Sequence, residues 1–504
     1  MRSSTKVVVN MAAQYARTII NMILGLYSTR LVLQILGVDD FGIFSLVAGV
    51  VSMLSFVTSA LAGSTQRYLS YYQGTKDIKQ IQGLFNNCIV LHILVGILVV
   101  IVFGSFLPVL FNGFLNIADD RLFASKILYC IVIVNLFVSF NTAPYRALVI
   151  AHENIVYTSI VEVLDAVIKL VLVFCLQFIH FDKLVGYGFV VFAIQLFEFL
   201  ALFVYSHLSY AECIYPKINE LDKGFLKEFS SFTGWTMYNS ACSLGRTQGV
   251  AIIINKFFNT ATNAAYGIAT SVLGYVSMIS QALKTAIAPQ IVRSEGGGNR
   301  DRMLWLSAIE SKMTFLLISA LGIPVMFEIE PILTVWLGNV PRYAGVLCCM
   351  KILTTMVDML TTGLSTANLA TGKLKDFSLY VYSIKLLTIP FAILSLYIYN
   401  SIIVLVTVYV VVELVGSLVR IPFMVKNAGL DGKEFCQRVF PKVLPPALLS
   451  CMVCWGFISL FDFKFRFIVT VIVSFAVLSC STLLWGLCED EKQIVKGLLA
   501  RVRD

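Results

Sequence analysis

The chain has 504 residues, of which 58% are hydrophobic and 13% charged, with a formal net charge of +9 and a mean hydropathy of +0.85. A soluble protein of this length needs far more charge to cover its outside, so the composition excludes a water-soluble globular enzyme. The positive balance calls for no nucleic-acid partner, because the basic residues fall in the connections between apolar runs.

Fourteen apolar runs can be read in chain order, at 9–36, 41–62, 84–111, 123–150, 156–179, 184–206, 230–256, 262–289, 305–328, 343–370, 377–399, 402–425, 440–461 and 466–487. Each is long enough to cross the roughly 30 Å of hydrocarbon in a bilayer as a helix. The first is too long and too polar for a signal peptide and has no small-residue cleavage site, so it is expected as a retained span. No segment longer than about 25 residues remains for a soluble domain.

Polar residues inside these runs are costly, about 2.5–3.5 kcal/mol for a central charge, and are expected to face a cavity or a partner. On span 1, Asn10, Gln14, Arg17, Asn21 and Ser28 share one helical face. Arg30 lies off that face, where snorkelling to the headgroups is expected. Span 2 carries Ser45, Ser52 and Ser59. On span 5, Glu162, Asp165 and Lys169 share a face. Span 7 aligns Trp235, Asn239, Ser243 and Arg246, and span 8 aligns Thr270, Ser277, Gln281 and Lys284. Lys351, Asp358 and Ser365 follow on span 10, and Glu413 and Arg420 on span 12. Spans 13 and 14 are almost purely apolar and are expected to pack outside a lobe.

These stripes predict a substrate-binding, cationic cleft lined by Gln14, Arg17, Asn21, Asn239, Arg246, Gln281 and Lys284. The acidic sets have two readings. Local neutralisation at spacings of three, four and seven, or pairing between helices, is one. A cation or proton site at Glu162, Asp165 and Asp358 is the other.

With the N-terminus in the cytosol, basic residues favour the cytosolic connections by about four to one, which puts both termini inside. Gly42-Ile43, Gly49 and Val51-Ser52-Met53 recur as Gly267-Ile268, Gly274 and Val276-Ser277-Met278 at one offset of 225. Six spans separate the copies, so the repeat is parallel. The same offset carries Gln14 to Asn239 and Asn21 to Arg246. The expected architecture is an all-α polytopic membrane protein with two six-helix lobes. Residues 1–208 form the N-lobe, 209–229 a cytosolic linker, 230–426 the C-lobe, 427–488 an appended helix pair and 489–504 a basic tail.

The twelve cysteines form no disulfide framework, and the Cys451/Cys454 pair stands on one apolar helix without a second pair or a nearby His. There is no Walker, HExxH, GxGxxG or GxSxG pattern. No metal, cofactor or catalytic residue is therefore expected, and movement of a substrate must be driven by a Na⁺ or H⁺ gradient or by the substrate itself.

Ser64-Thr65-Gln66-Arg67-Tyr68-Leu69-Ser70, followed by Gly74 and Asp77, resembles the polysaccharide-repeat flippases, the Wzx-like O-antigen and capsule translocases of the multidrug/oligosaccharidyl-lipid/polysaccharide exporter (MOP) superfamily. Pro144-Tyr145, Ala151-His152-Glu153-Asn154 and Pro289-Gln290-Ile291-Val292 are similar to the same pattern, and the resemblance covers essentially the whole chain. It implies a MATE-like fold, alternating access by rocking of one lobe against the other, and an undecaprenyl-diphosphate-linked oligosaccharide as substrate. A bacterial inner-membrane location follows, with the polymerase and glycosyltransferases of the same pathway as partners. The runner-up is the multidrug and toxin extrusion branch, a cation antiporter expected to use an acid in span 1. Span 1 has none here, although Glu162 and Asp165 keep that reading open. A membrane scaffold is a third reading, but it has no need of a costly polar face.

Overall fold

The computed structural model describes residues 3–52, 55–75, 77–111, 119–178, 182–217, 221–258, 260–337, 340–463 and 465–492. Among them there is no β-strand. In hydrocarbon every backbone N–H and C=O must be paired internally, so apolar runs of this length form helices. The first is α1 (Ser3–Ser52), which bends at Gly37 (φ 78°), a left-handed conformation that favours glycine. The bend falls where the sequence places the boundary between spans 1 and 2.

The chain continues through α2 (Ser55–Thr75), α3 (Ile78–Val109), α4 (Leu122–Ala151), α5 (Ile155–Leu176), α6 (Lys183–Ser209), α7 (Lys223–Phe257), α8 (Thr260–Gly296) and α9 (Arg300–Phe327). A short α10 (Ile329–Leu337) precedes α11 (Ala344–Met359) and α12 (Thr362–Thr371). Then come α13 (Leu374–Phe377), α14 (Ser383–Leu386), α15 (Thr388–Tyr399), α16 (Ile402–Leu418), α17 (Arg420–Ala428), α18 (Gly432–Leu460) and α19 (Arg466–Ser481). Aspartates set four of the starts. The side chains of Asp77, Asp182, Asp222 and Asp431 each accept from the backbone N–H groups two and three residues on. Gly372 and Gly429 end α12 and α17 in the left-handed conformation.

Among the described residues, eight stretches are individually long and apolar enough to cross a membrane, and α11 with α12, bent by 50°, makes a ninth. The remaining expected spans, 1, 2, 5, 7 and 8, fall on α1 with α2, α5, α7 and α8, the helices that carry most of the polar stripes. The molecule is thus an all-α polytopic membrane protein of about fourteen spans.

The chain folds as two compact units. One holds Val8–Met237 with Gly296–Gly298; the other holds Met1–Val7, Tyr238–Glu295 and Asn299–Asp504. In the first, α4 packs against α2, α3, α5 and α6, over a core that includes Val32, Leu128, Tyr129, Val173, Leu176 and Tyr187. In the second, α9 packs against α11, α12, α18 and α19, and α16 packs against α11 and α15. Contacts of spans 4 with 3, 4 with 6 and 5 with 6 in one unit therefore recur as 10 with 9, 10 with 12 and 11 with 12 in the other. That is the packing an internal repeat requires.

Gly363 allows α12 its close seat on α9, because a Cβ there would lie 1.9 Å from the Ser307 carbonyl oxygen. Helices α18 and α19 belong to the second unit. Ser450 and Ser474 hydrogen-bond at 2.7 Å, and the Arg466 Nε donates to Glu328 at 2.9 Å. Cys454 is buried in that unit's apolar core with Cys451 packed against it.

Candidate functional site

Each unit contains a network of charged side chains drawn from four or more helices. In the first unit, Arg17 on α1 and Arg146 on α4 both pair with Glu162 on α5. Arg146 also pairs with Glu198 on α6, whose other oxygen accepts from Gln195 at 3.4 Å. One turn along α5 from Glu162, the Asp165 Oδ1 is buried without a hydrogen-bond partner among the described residues. Gln14 is buried on the same face of α1 as Arg17, and the Asn21 Oδ1 is buried without a partner. Of the two structural readings of the span 5 acids, pairing between helices is the one Glu162 follows, held from α1 and α4. Arg17, expected as an open cleft charge, is neutralised by that carboxylate.

Reversing this charge is expected to be worse than removing it. Arg17→Glu places a second carboxylate against Glu162, whereas Arg17→Gln leaves Glu162 its Arg146 partner. The check is the monodisperse fraction of each variant on size-exclusion chromatography in mild detergent, with Arg17→Glu expected lower. Equal fractions would remove the pair from any structural role.

The second unit contains a half-open cavity of about 280 Å³. Five basic side chains, Arg246, Lys284, Lys351, Lys385 and Arg420, and two acidic ones, Asp358 and Glu413, line it. Arg246 pairs with Glu413, and its guanidinium carbon sits 3.9 Å from the centroid of the Tyr409 ring. The Lys385 Nζ lies 2.6 Å from Asp358 and 2.5 Å from Glu413, and the Arg420 Nη2 lies 2.6 Å from Asp358. Lys351 has no ion pair among the described residues. Its ammonium rests 4.4 Å from the Tyr266 ring centroid and 5.2 Å from that of Tyr409. Three guanidinium nitrogens remain without acceptors among the described residues: Arg246 Nε, Arg246 Nη2 and Arg420 Nε. Hydroxyls of Thr354, Thr355, Thr362 and Ser365 complete the wall. The acids neutralise only part of the positive charge, and buried N–H donors are left over. Chemically, the cavity is built to receive an anion.

Of the residues predicted from sequence, the structure brings Arg246, Lys284 and Asp358 together around this cavity, with Lys351, Ser365, Glu413 and Arg420 beside them. The bend between α11 and α12 breaks the helical spacing of Asp358 and Ser365, yet both reach the same space. Asn239 and Gln281 stand on the same helices but are not part of its lining, and Gln281 is exposed. Sequence reading missed Lys385, Tyr382 and Tyr409. Lys385 is a lone lysine in an apolar run, a signal in itself. A π-helical turn at Ser378–Tyr382 precedes it and shifts its face relative to a regular helix.

Of the motifs that carry the family resemblance, Pro289–Val292 lies on α8 in the second unit, and the others lie in the first. Arg67 is buried, its guanidinium carbon 4.5, 4.9 and 5.1 Å from the Tyr68, Tyr71 and Phe232 ring centroids. The Tyr68 hydroxyl donates to Glu228 at 3.0 Å, and the Thr65 hydroxyl meets the His92 Nε2 at 2.9 Å. His152 pairs with Glu212, in the connection after α6, and meets Gln73 at 2.6 Å. Burial alone would raise the Glu212 carboxyl, but the His152 hydrogen bond, a backbone hydrogen bond and the His152 charge together outweigh it and hold the group below the usual carboxylate range.

The sequence matches no protein-family model and no curated protein. The backbone, by contrast, has close structural counterparts. The MATE transporter ClbM in complex with Rb⁺ superposes with a TM-score of 0.70 at 13% identity, covering 85% of this chain and 96% of that one. The fold is MATE-like. An outward-facing multidrug resistance MATE family transporter of the MOP superfamily gives a TM-score of 0.69 at 13% identity over 84% of this chain and 96% of its own. A MOP superfamily transporter from Pyrococcus furiosus Vc1 (DSM3638) gives 0.67 at 13% identity, over 85% and 96%. At these identities the likeness concerns the MATE-like fold, with its spans nearly all accounted for.

Proposed function

We propose that this protein translocates a lipid-linked oligosaccharide carrying a diphosphate, the undecaprenyl-diphosphate repeat unit of a surface polysaccharide, from the cytosolic to the outer leaflet of a bacterial inner membrane. The observation that carries the reading is the cavity of the second unit, where five basic side chains face two acidic ones and guanidinium donors are left without acceptors. An anion is the ligand such a wall selects, and arginines match phosphate oxygens in charge and geometry. At about 280 Å³ the cavity has room for a diphosphate.

A second feature fits the lipid. An apolar groove lined by Ile384, Leu387, Phe391, Ile398, Val408 and Val415 runs along α14, α15 and α16, the first and last of which also present Lys385 and Glu413 to the cavity. A polyprenyl tail could remain there while the head is held. The Pyrococcus furiosus MOP transporter is described as having a reversed binding-pocket polarity that suggests a different function, so pocket charge is a basis for separating functions on this fold. In this reading both termini are cytosolic, no cofactor is needed, and a Na⁺ or H⁺ gradient supplies the work.

The competing reading, a MATE-type antiporter of cationic drugs, draws on the first unit, where Glu162, Asp165 and Glu198 outnumber the paired Arg17 and Arg146. Depleting the protein in its native cell and extracting lipids for mass spectrometry separates the two. Accumulation of an undecaprenyl-diphosphate oligosaccharide with loss of surface polysaccharide is expected. An unchanged lipid-linked pool with new sensitivity to cationic dyes would favour the antiporter.

A further inference from the structure

Behind the cavity wall of the second unit lies a carboxyl group that neither ion-pair network uses. Glu310 is fully buried on α9, on a face shared with Ser307, Ser311 and Thr314, all equally buried. That face meets α12, where the Gly363 N–H donates to the Ser311 hydroxyl at 3.0 Å and the Thr366 hydroxyl donates to the Glu310 Oε1 at 2.9 Å. The other oxygen, Oε2, is buried without a hydrogen-bond partner, and Glu310 has no ion pair among the described residues.

The charges packed around α9 are otherwise committed. Lys312, two residues on, pairs with Glu491 after α19, and Asp490 accepts from Trp305 and Arg438. Glu328 beyond the helix end is held by Arg466. On α11, Asp358 is taken by Lys385 and Arg420, while Lys351 rests over aromatic rings. Among the described residues, the charge that reaches Glu310 is the Lys284 ammonium of α8, which reaches Asp358 as well. Lys284 stands 3.4 Å from the Thr362 hydroxyl and, with Thr362 and Ser365, faces the cavity. Thus a single lysine has the cavity on one side and a buried carboxyl on the other.

We propose that Glu310 is a proton-binding site linked through Lys284 to anion occupancy of the cavity. With the cavity empty, the Lys284 charge is available to support the Glu310 carboxylate. An anion entering the cavity takes up that charge, and a carboxylate left with one hydroxyl donor in this interior is too costly to persist. Glu310 then takes a proton from solvent, forming an O–H bond at Oε2, so one proton enters with the anion. Linkage is reciprocal: protonating Glu310 frees Lys284 and tightens anion binding. The inference rests on the cavity's taking an anion, not on that anion's being a lipid-linked sugar.

Sulfate is a suitable probe because its charge is constant across the neutral range. For the purified protein in phosphatidylcholine nanodiscs, sulfate affinity is expected to weaken about tenfold per pH unit across the range in which Glu310 titrates, the slope of one linked proton. Infrared difference spectra on adding sulfate should show a growing protonated-carboxyl band that shifts in D₂O. Glu310→Gln should bind sulfate with a flat pH profile and no such band, and Glu310→Asp should keep both signals with the band displaced. An unchanged slope in Glu310→Gln, or no carboxyl band in the wild type, overturns the linkage while leaving the anion cavity standing. A cavity that binds no sulfate at any pH overturns both.

Discussion

Lys385→Met should be among the most damaging single substitutions in the chain, destabilising the second unit by about 3–5 kcal/mol, the cost of breaking a buried ion pair by removing one partner. The reason is geometric. One ammonium lies within 2.6 Å of both Asp358 and Glu413, so its loss leaves two carboxylates facing each other in the membrane interior. Arg420 and Arg246 remain on their outer sides but do not occupy the space between them. The lysine stem is also packed, since a Cβ on Gly416 would lie 2.9 Å from its Cγ. Thermal unfolding followed by size-exclusion chromatography is the measurement. The double variant Lys385→Met, Glu413→Gln should recover much of the loss, because it removes one of the two stranded charges. A Lys385→Met protein as stable as the wild type would show that the carboxylates are neutralised by other means.

Arg246→Ala should abolish substrate movement, and here folding and function can be separated. Arg246 is buried, stacks on Tyr409, pairs with Glu413, and still presents two nitrogens without acceptors. Its removal strands Glu413 on one side and removes the strongest anion donor on the other. Adding Glu413→Gln to Arg246→Ala should restore the amount of folded protein without restoring transport. Arg246→Lys keeps the charge but not the planar fork, so it should fold well and transport poorly. Transport by the Arg246→Ala, Glu413→Gln protein would reduce Arg246 to a partner of Glu413.

The sequence exposes the spans because long apolar runs have one solution in a bilayer, and it exposes the break at Gly37 because the polar interval there is short and the residue is glycine. It also exposes Arg246, Lys284 and Asp358, each on a helical stripe of its own. What it hides are the pairings between helices. Arg17 meets Glu162 across 145 residues and Arg246 meets Glu413 across 167, distances at which periodicity carries no information. Lys385 is hidden for a different reason, since the preceding π-helical turn rotates it away from the position regular spacing gives. Glu310 is hidden because its stripe consists of small hydroxyl residues that read equally well as close helix packing, which Gly363 shows them also to be. The shared architecture of the two units conceals one more difference. In the first, the base is on span 4 and the acid on span 5, as Arg146 and Glu162; in the second the order is reversed, as Asp358 and Lys385. The reversal leaves the charge balance unchanged, and the second unit's positive excess comes from further basic residues, Lys284 and Lys351 among them.

The central claim is that the second unit's cavity holds the diphosphate of a lipid-linked glycan, and native mass spectrometry of protein purified gently from its own cells tests it most directly. The account predicts a retained polyprenyl-diphosphate oligosaccharide on the wild-type protein, absent from the folded Arg246→Ala, Glu413→Gln variant and identified by its fragmentation. A protein that carries no such lipid, and that instead binds an organic cation such as ethidium equally well with and without Arg246, would contradict it.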